Sequence, residues 1–388
     1  MEGVCKETIK ADSILSVLDS KINWLEMVSP TNNHKRWVDF KKNNFKKVMP
    51  LSYKKINVDL DGISSELDSL DFSKIKNPII ASLLHEKKEE LDLFVDLIKY
   101  RGTDGFLTTS IHLFGGTQPT LLNLAHDILK KVPVENNKEE MASVLEFVDF
   151  AQNVRETYKK ENCSFDFEIN LEEDLNSSLM VNQGNLYISR DMHVPRNRIP
   201  SLVAHEVEVH VLTSFNGSMQ PLRLLKTGLA NYDTLQEGLA TFSEYLSGNL
   251  SGERLRVLAA RVIASELAIK GESIEHIFAN LMEEYNIDQV ESFDIAVRAK
   301  RGGGLTKDAV YLEGLRQVHA YSKTEDDLTS LFIGKFSLNQ RHMLEKLVSD
   351  KVLISPMLTP HFLKQKQGIK LLQEARTRDL SELFHKGS

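Results

Sequence analysis

Residues 204–210 read "AHEVEVH". A glutamate directly after one histidine, with a second histidine downstream, resembles the donor set of a zinc hydrolase helix, but that signature leaves two residues between the glutamate and the second histidine. Here three intervene. Pro200 and Ser201 open the segment, Val203, Val207, Val211 and Phe215 recur at every fourth position, and Asn216-Gly217 supplies a stop. This pattern predicts a helix with one buried stripe. At about 100° per residue, His205 and His210 would stand roughly 140° apart, with Glu206 about 40° from His210 and Glu208 pointing nearly the other way. Two histidines so placed cannot share a metal comfortably. An i,i+5 turn, the π-bulge, would bring them onto one face with Glu206 beside them.

The residue types fit one chemistry. Neutral imidazoles are good zinc ligands, a third protein ligand leaves a position open for water, and the metal lowers the pKa of that water toward about 7. Glu206 would accept its proton. The competing possibility is a helix whose histidines and glutamates make ordinary hydrogen bonds, so a third ligand is required.

Downstream, "NYDTLQEGLATFSEYLSG" predicts a helix beginning after Asp233 or Thr234 and ending near Gly248, with Glu237 in its first turns. Thr234 with Glu237, or Asp233 with Gln236, could form a capping box, which would make Glu237 a structural residue. Gly238 weighs against that, because a helical glycine costs around 1 kcal/mol relative to alanine and suggests a close backbone approach. Glu237 is therefore the candidate third ligand. Upstream, "CSFDFEINL" alternates, and "SLMVNQGNLYI" carries strand-forming residues on either side of Asn182-Gln183-Gly184-Asn185, a hairpin signal. A small sheet is expected next to the His helix, with "GNLYI" at 184–188 as the edge along which an extended peptide could bind.

The remainder of the chain is mainly helical. "DSILSVLDSKINWLEMV" at 12–28 predicts one helix, and the stretch from Pro78 to Gly102 another. The expected organisation is a Lys-rich helical extension over 1–74, a catalytic domain over 75–345 and a helical tail over 346–388. The 388 residues contain 48 basic and 55 acidic side chains, a net charge of −7 that argues against general nucleic-acid binding. Between Lys35 and Lys55, however, eight basic residues face Asp39 alone, either a solvated face or a docking surface for an acidic protein partner. Cys5 and Cys163 are too few for a disulfide framework or a cysteine zinc site. The absence of a signal core or an apolar stretch of about 18 residues leads to the expectation of a cytoplasmic protein that does not engage a membrane.

"HEVEVH", "LQEGLATFSEYL" and "RGGGLTKDAVYLEGL" together resemble the QEGLA-motif family, which includes bacterial proteins described as modulating flavohaemoglobin expression and the eukaryotic microtubule-associated tyrosine carboxypeptidases. The similarity covers most of residues 75–345. It implies a zincin-like metallopeptidase core, α+β and mostly helical, with Zn2+ held by His205, His210 and Glu237 and with Glu206 as general base and acid. It also implies a peptide or protein C-terminus as substrate, with release of tyrosine or another aromatic residue.

A carboxypeptidase needs a cation for the terminal carboxylate and donors for the tetrahedral oxyanion. In "RAKRGGGLTKDAVYLEGLRQVHAY" (298–321), Arg301 or Lys307 could supply the first, and Tyr311 or His319 the second, with a helix expected from about Thr306. His112 and His193 are further polar candidates. Two rival functions stand beside the peptidase: a regulatory protein with a structural or sensing metal, and a metal hydrolase of a non-peptide amide. Glu206 favours an enzyme, since a structural site needs no base.

Overall fold

The computed structural model describes residues 4–134, 140–173, 175, 177–325 and 327–385. It is α+β and mostly helical, as the sequence patterning predicts. Asn77 caps the helix Pro78–Lys99 by accepting from the backbone of Ile79 and Ile80, while Pro78 has no N–H to leave unpaired. The expected single helix at 12–28 is instead two, Lys6–Lys21 and Trp24–Val28. The break at Ile22-Asn23 lets the Trp24 ring stack on Phe94 at 5.1 Å and approach Phe114 at 5.2 Å, a tertiary contact that overrides local helical periodicity.

The Lys-rich stretch forms the helix Asn33–Lys42 and an extended return. Arg36 is not part of its charged surface. It is buried and donates to the carbonyls of Thr31, Met49 and Pro50, stapling the return to the helix. The seven lysines of the stretch stay exposed, while Phe40 and Phe45 pack on Phe278.

Asn182-Gln183-Gly184-Asn185 makes the expected hairpin, with Gln183 and Gly184 both at positive φ. Strand Asn185–Ser189 is not an edge. It lies between Leu179–Asn182, antiparallel, and Ile169–Glu172, parallel, so the "GNLYI" strand is the centre of the sheet. A period-2 pattern identifies a strand but not its neighbours, and the pairing with Ile169–Glu172 joins residues 17 apart in the chain. Leu186 and Ile188 fill the inner face. Strand Leu179–Asn182, one of the two edges, lies against the His helix.

That helix has three continuous pieces: Ile199–Val203 is α-helical, Ala204–Val211 is π-helical and Leu212–Ser218 is α-helical again. The Leu212 N–H reaches back five residues to the Val207 carbonyl. Val203, Val207 and Val211 are buried as the stripe predicts. On the opposite side Glu208 accepts from the Tyr158 hydroxyl at 2.6 Å and the His361 N–H at 3.0 Å, tying the chain after Pro360 to the back of the helix. Helix Tyr232–Leu246 carries Glu237 and crosses helix Val310–Thr324 at Gly238 and Gly314, where backbone packs on backbone with no room for a β-carbon. One buried apolar cluster runs from Ala11 to Leu383. None of the described helices is long and apolar enough to cross a membrane.

Candidate metal centre

The π-helical segment decides the geometry of the site. It turns residues five apart onto one face, so the His205 and His210 rings approach with centroids 5.1 Å apart. Glu237 comes from the crossing helix: its Oε2 lies 3.9 Å from His205 Nε2 and 3.8 Å from His210 Nε2. One ligand atom from each of the three residues falls within 4.8 Å of the others. A tetrahedral zinc site with bonds of about 2.0–2.1 Å has edges of roughly 3.4 Å, so the two edges to Glu237 are each about half an ångström longer than in a closed site. Neither capping box forms. The helix begins at Tyr232 after Asn231 in the left-handed region, which puts Asp233 and Thr234 inside it and leaves Glu237 free to face the histidines.

A fourth residue, which sequence patterning did not single out, completes the arrangement. Glu244 is fully buried and accepts from His205 Nδ1 at 3.0 Å, which leaves Nε2 as the open nitrogen facing Glu237. Arg198 at 3.0 Å and Arg254 at 3.5 Å neutralise it. Burial opposes its ionisation, but Arg254, the His205 bond and Arg198 hold its carboxyl down at about 2. Burial alone would lower His205, yet the Glu244 bond and the charges of Glu206, Glu244 and Glu237 raise it. His210 is driven well below its ordinary value by burial and by His205. Glu244 lies seven residues, two helical turns, after Glu237. That spacing was the available signal, and it became meaningful only with a partner to face.

Glu206 is buried beside the donors and makes no hydrogen bond to any described residue. Burial pushes its carboxyl up to about 7, with His205 opposing and Glu237 and Glu244 adding to the rise. The 298–321 segment divides. Lys307 pairs with Asp233, on the helix of Glu237, at 2.7 Å, and Tyr311 is raised by burial and then by the charge of Glu237. Arg301 is engaged by another partner. It is buried 3.6 Å from Asp308, which Arg298 already holds by two bonds of 2.6 and 2.8 Å, and its other contact is Ser29. His319 faces the Ala375 carbonyl at 2.8 Å, while His112 and His193 are exposed.

Two histidines and a carboxylate converging on one point, with a second carboxylate beside them and a third behind, is a donor set chemically suited to a divalent ion. The family model described as "Microtubule-associated tyrosine carboxypeptidase" matches residues 38–379, and so includes every residue of this cluster. The chain belongs to that family. Among curated relatives, microtubule-associated tyrosine carboxypeptidase 1 of Rattus norvegicus is 26% identical over 249 residues, covering 59% of this chain and 51% of that protein. The Mus musculus protein of the same name is 27% identical over 248 residues, with the same coverage, and the Homo sapiens one 26% over 249. This family member thus spans about half the length of the curated relatives it matches. No solved structure matches it.

Proposed function

We propose that the protein is a zinc-dependent carboxypeptidase that releases the C-terminal residue, tyrosine or another aromatic, from a peptide or protein. His205, His210 and Glu237 would hold the ion in a zincin-like core. The observation that carries this reading is the convergence of those three donors on the π-helical turn with Glu206 alongside. A bound divalent ion supplies Lewis-acid polarisation of the scissile carbonyl and makes water more acidic.

The chain's own residues do the rest. Glu206 Oε accepts a proton from the attacking water and returns it to the departing amine nitrogen, a role suited to a carboxyl lifted toward neutral pH. Glu244 keeps His205 in one tautomer and one orientation. The Tyr311 hydroxyl, which has no described hydrogen-bond partner, donates to the tetrahedral oxyanion, and Lys307 adds positive charge beside Glu237. An extended substrate pairs along the edge strand Leu179–Asn182, which lies on the His helix. The exposed lysines between Lys35 and Lys55 offer a docking surface for an acidic protein partner.

A purely structural metal site gives no reason to keep Glu206, a buried carboxyl without a hydrogen bond next to the ligands. The test is metal analysis of the purified protein, followed by terminal-residue release from a C-terminally diverse peptide library with Glu206→Gln as control. Metal-loaded protein is expected to release a narrow set of terminal residues. Release of none, or purification without bound metal, overturns the reading.

A further inference from the structure

The two residues expected from sequence to receive a terminal carboxylate are both engaged internally, Arg301 with Asp308 and Lys307 with Asp233. The question is which cation near Tyr311 is not. Arg298 is clamped on Asp308 by two hydrogen bonds. Arg198 and Arg254 flank Glu244. Arg261 differs from all of these. Among the described residues no carboxylate lies within 4 Å of its guanidinium and no acceptor takes a hydrogen bond from it, and its Nε is buried without a partner. It sits on helix Gly252–Ile269, two turns after Arg254, with its guanidinium carbon 5.3 Å from the centre of the Tyr311 ring.

Asp308 and Glu291 act on this half-buried guanidinium only from beyond hydrogen-bond reach, so its N–H groups are left for an anion that can approach directly. Tyr311 connects Arg261 to the metal centre, since it lies one turn before Gly314, whose backbone packs on that of Gly238 next to Glu237. In an exopeptidase the terminal carboxylate follows the scissile carbonyl by a single residue, about 3.8 Å of chain. Its receptor should therefore stand close to the ligands; Arg261 is stacked on Tyr311, whose helix packs on the helix of Glu237, while Arg301 is engaged by Asp308. The cation–π contact restrains the guanidinium over the ring and leaves its N–H groups available for a bidentate fork.

We propose that Arg261, stacked on Tyr311, receives the α-carboxylate of the substrate's last residue. This rests on the carboxypeptidase reading and goes beyond it in naming the group that makes the enzyme an exopeptidase.

The test compares metal-loaded wild type, Arg261→Ala and Arg261→Lys on paired peptides of one sequence, ending in a free carboxylate or in a carboxamide. Wild type should favour the free acid, and Arg261→Ala should lose roughly 100-fold in kcat/KM on the acid, mainly through KM, with little change on the amide. Millimolar guanidinium should restore part of the loss in Arg261→Ala, which a folding defect would not allow. Arg261→Lys, keeping the charge without the fork, should fall between. An unchanged acid-to-amide ratio in Arg261→Ala, or a loss that guanidinium does not relieve and Arg261→Lys fully shares, overturns the assignment alone. No terminal release by wild type overturns the carboxypeptidase reading and this assignment together.

Discussion

Gly238 and Gly314 meet backbone to backbone, each occupying space where the other's β-carbon would lie. The contact brings the helix that carries Glu237 close enough to the helix that carries Tyr311 for the two side chains to act on one another.

Gly238→Ala is expected to separate these helices. Overpacking of this kind costs about 1–3 kcal/mol, and because a backbone, unlike a side chain, cannot rotate away, the upper end applies. Thermal unfolding should show a midpoint lower by several degrees, with weaker metal retention. An unchanged midpoint would mean that the helices pack differently in solution.

Glu244→Gln should retain the fold and weaken the metal. The glutamine cannot hold the His205 Nδ1–H as a buried anion does, and loss of such an outer partner costs about 10- to 100-fold in metal affinity. Competition with a chromophoric chelator measures it directly. Wild-type affinity in this variant would show that His205 needs no support from behind.

Glu206→Gln should bind metal as wild type does while terminal-residue release falls by about 10²–10⁴, the usual contribution of a general base. Parallel loss of metal and activity would reassign Glu206 to a structural role.

Stability should carry a pH signature set outside the histidine cluster, at Asp12. Burial pushes the Asp12 carboxyl up to about 6, against the N–H groups of Arg223 and Leu224 that it accepts from. Since this lies above the unfolded value of about 3.9, folding favours the protonated form. The contribution is fully present below about pH 4 and is lost as pH rises through about 6. Asp12→Asn should therefore gain on wild type by roughly 2–3 kcal/mol between pH 4 and pH 7, read from urea midpoints of both proteins. A difference independent of pH would rule this out.

Local signals were legible in the residues themselves. Asn77-Pro78 marks a helix start, Asn182 to Asn185 a hairpin, and Gly238 a close approach, because each is set by the backbone within a few residues or by the absence of a side chain. The five-residue histidine spacing demanded a π-helical turn, and the chain has one. What could not be read was pairing between distant segments: the central rather than edge position of Asn185–Ser189, the break that frees Trp24, and the burial of Arg36 under carbonyls up to 14 residues away.

The same division runs through the site. Sequence by itself determined the donor types, their spacing and the requirement that the helix depart from α geometry, since all of these follow from residue identity and helical period. Only the tertiary structure decided which carboxylate faces each histidine and which cations remain open. Glu237 and Glu244 lie two turns apart on one helix, yet one faces the open nitrogens of both histidines and the other the back of His205. Arg301 is buried and Arg261 half-buried, yet only the first has Asp308 within 4 Å, while the second stacks on Tyr311. A side chain's chemistry is written in the chain, whereas its availability depends on which opposite charge the fold sets within 4 Å of it.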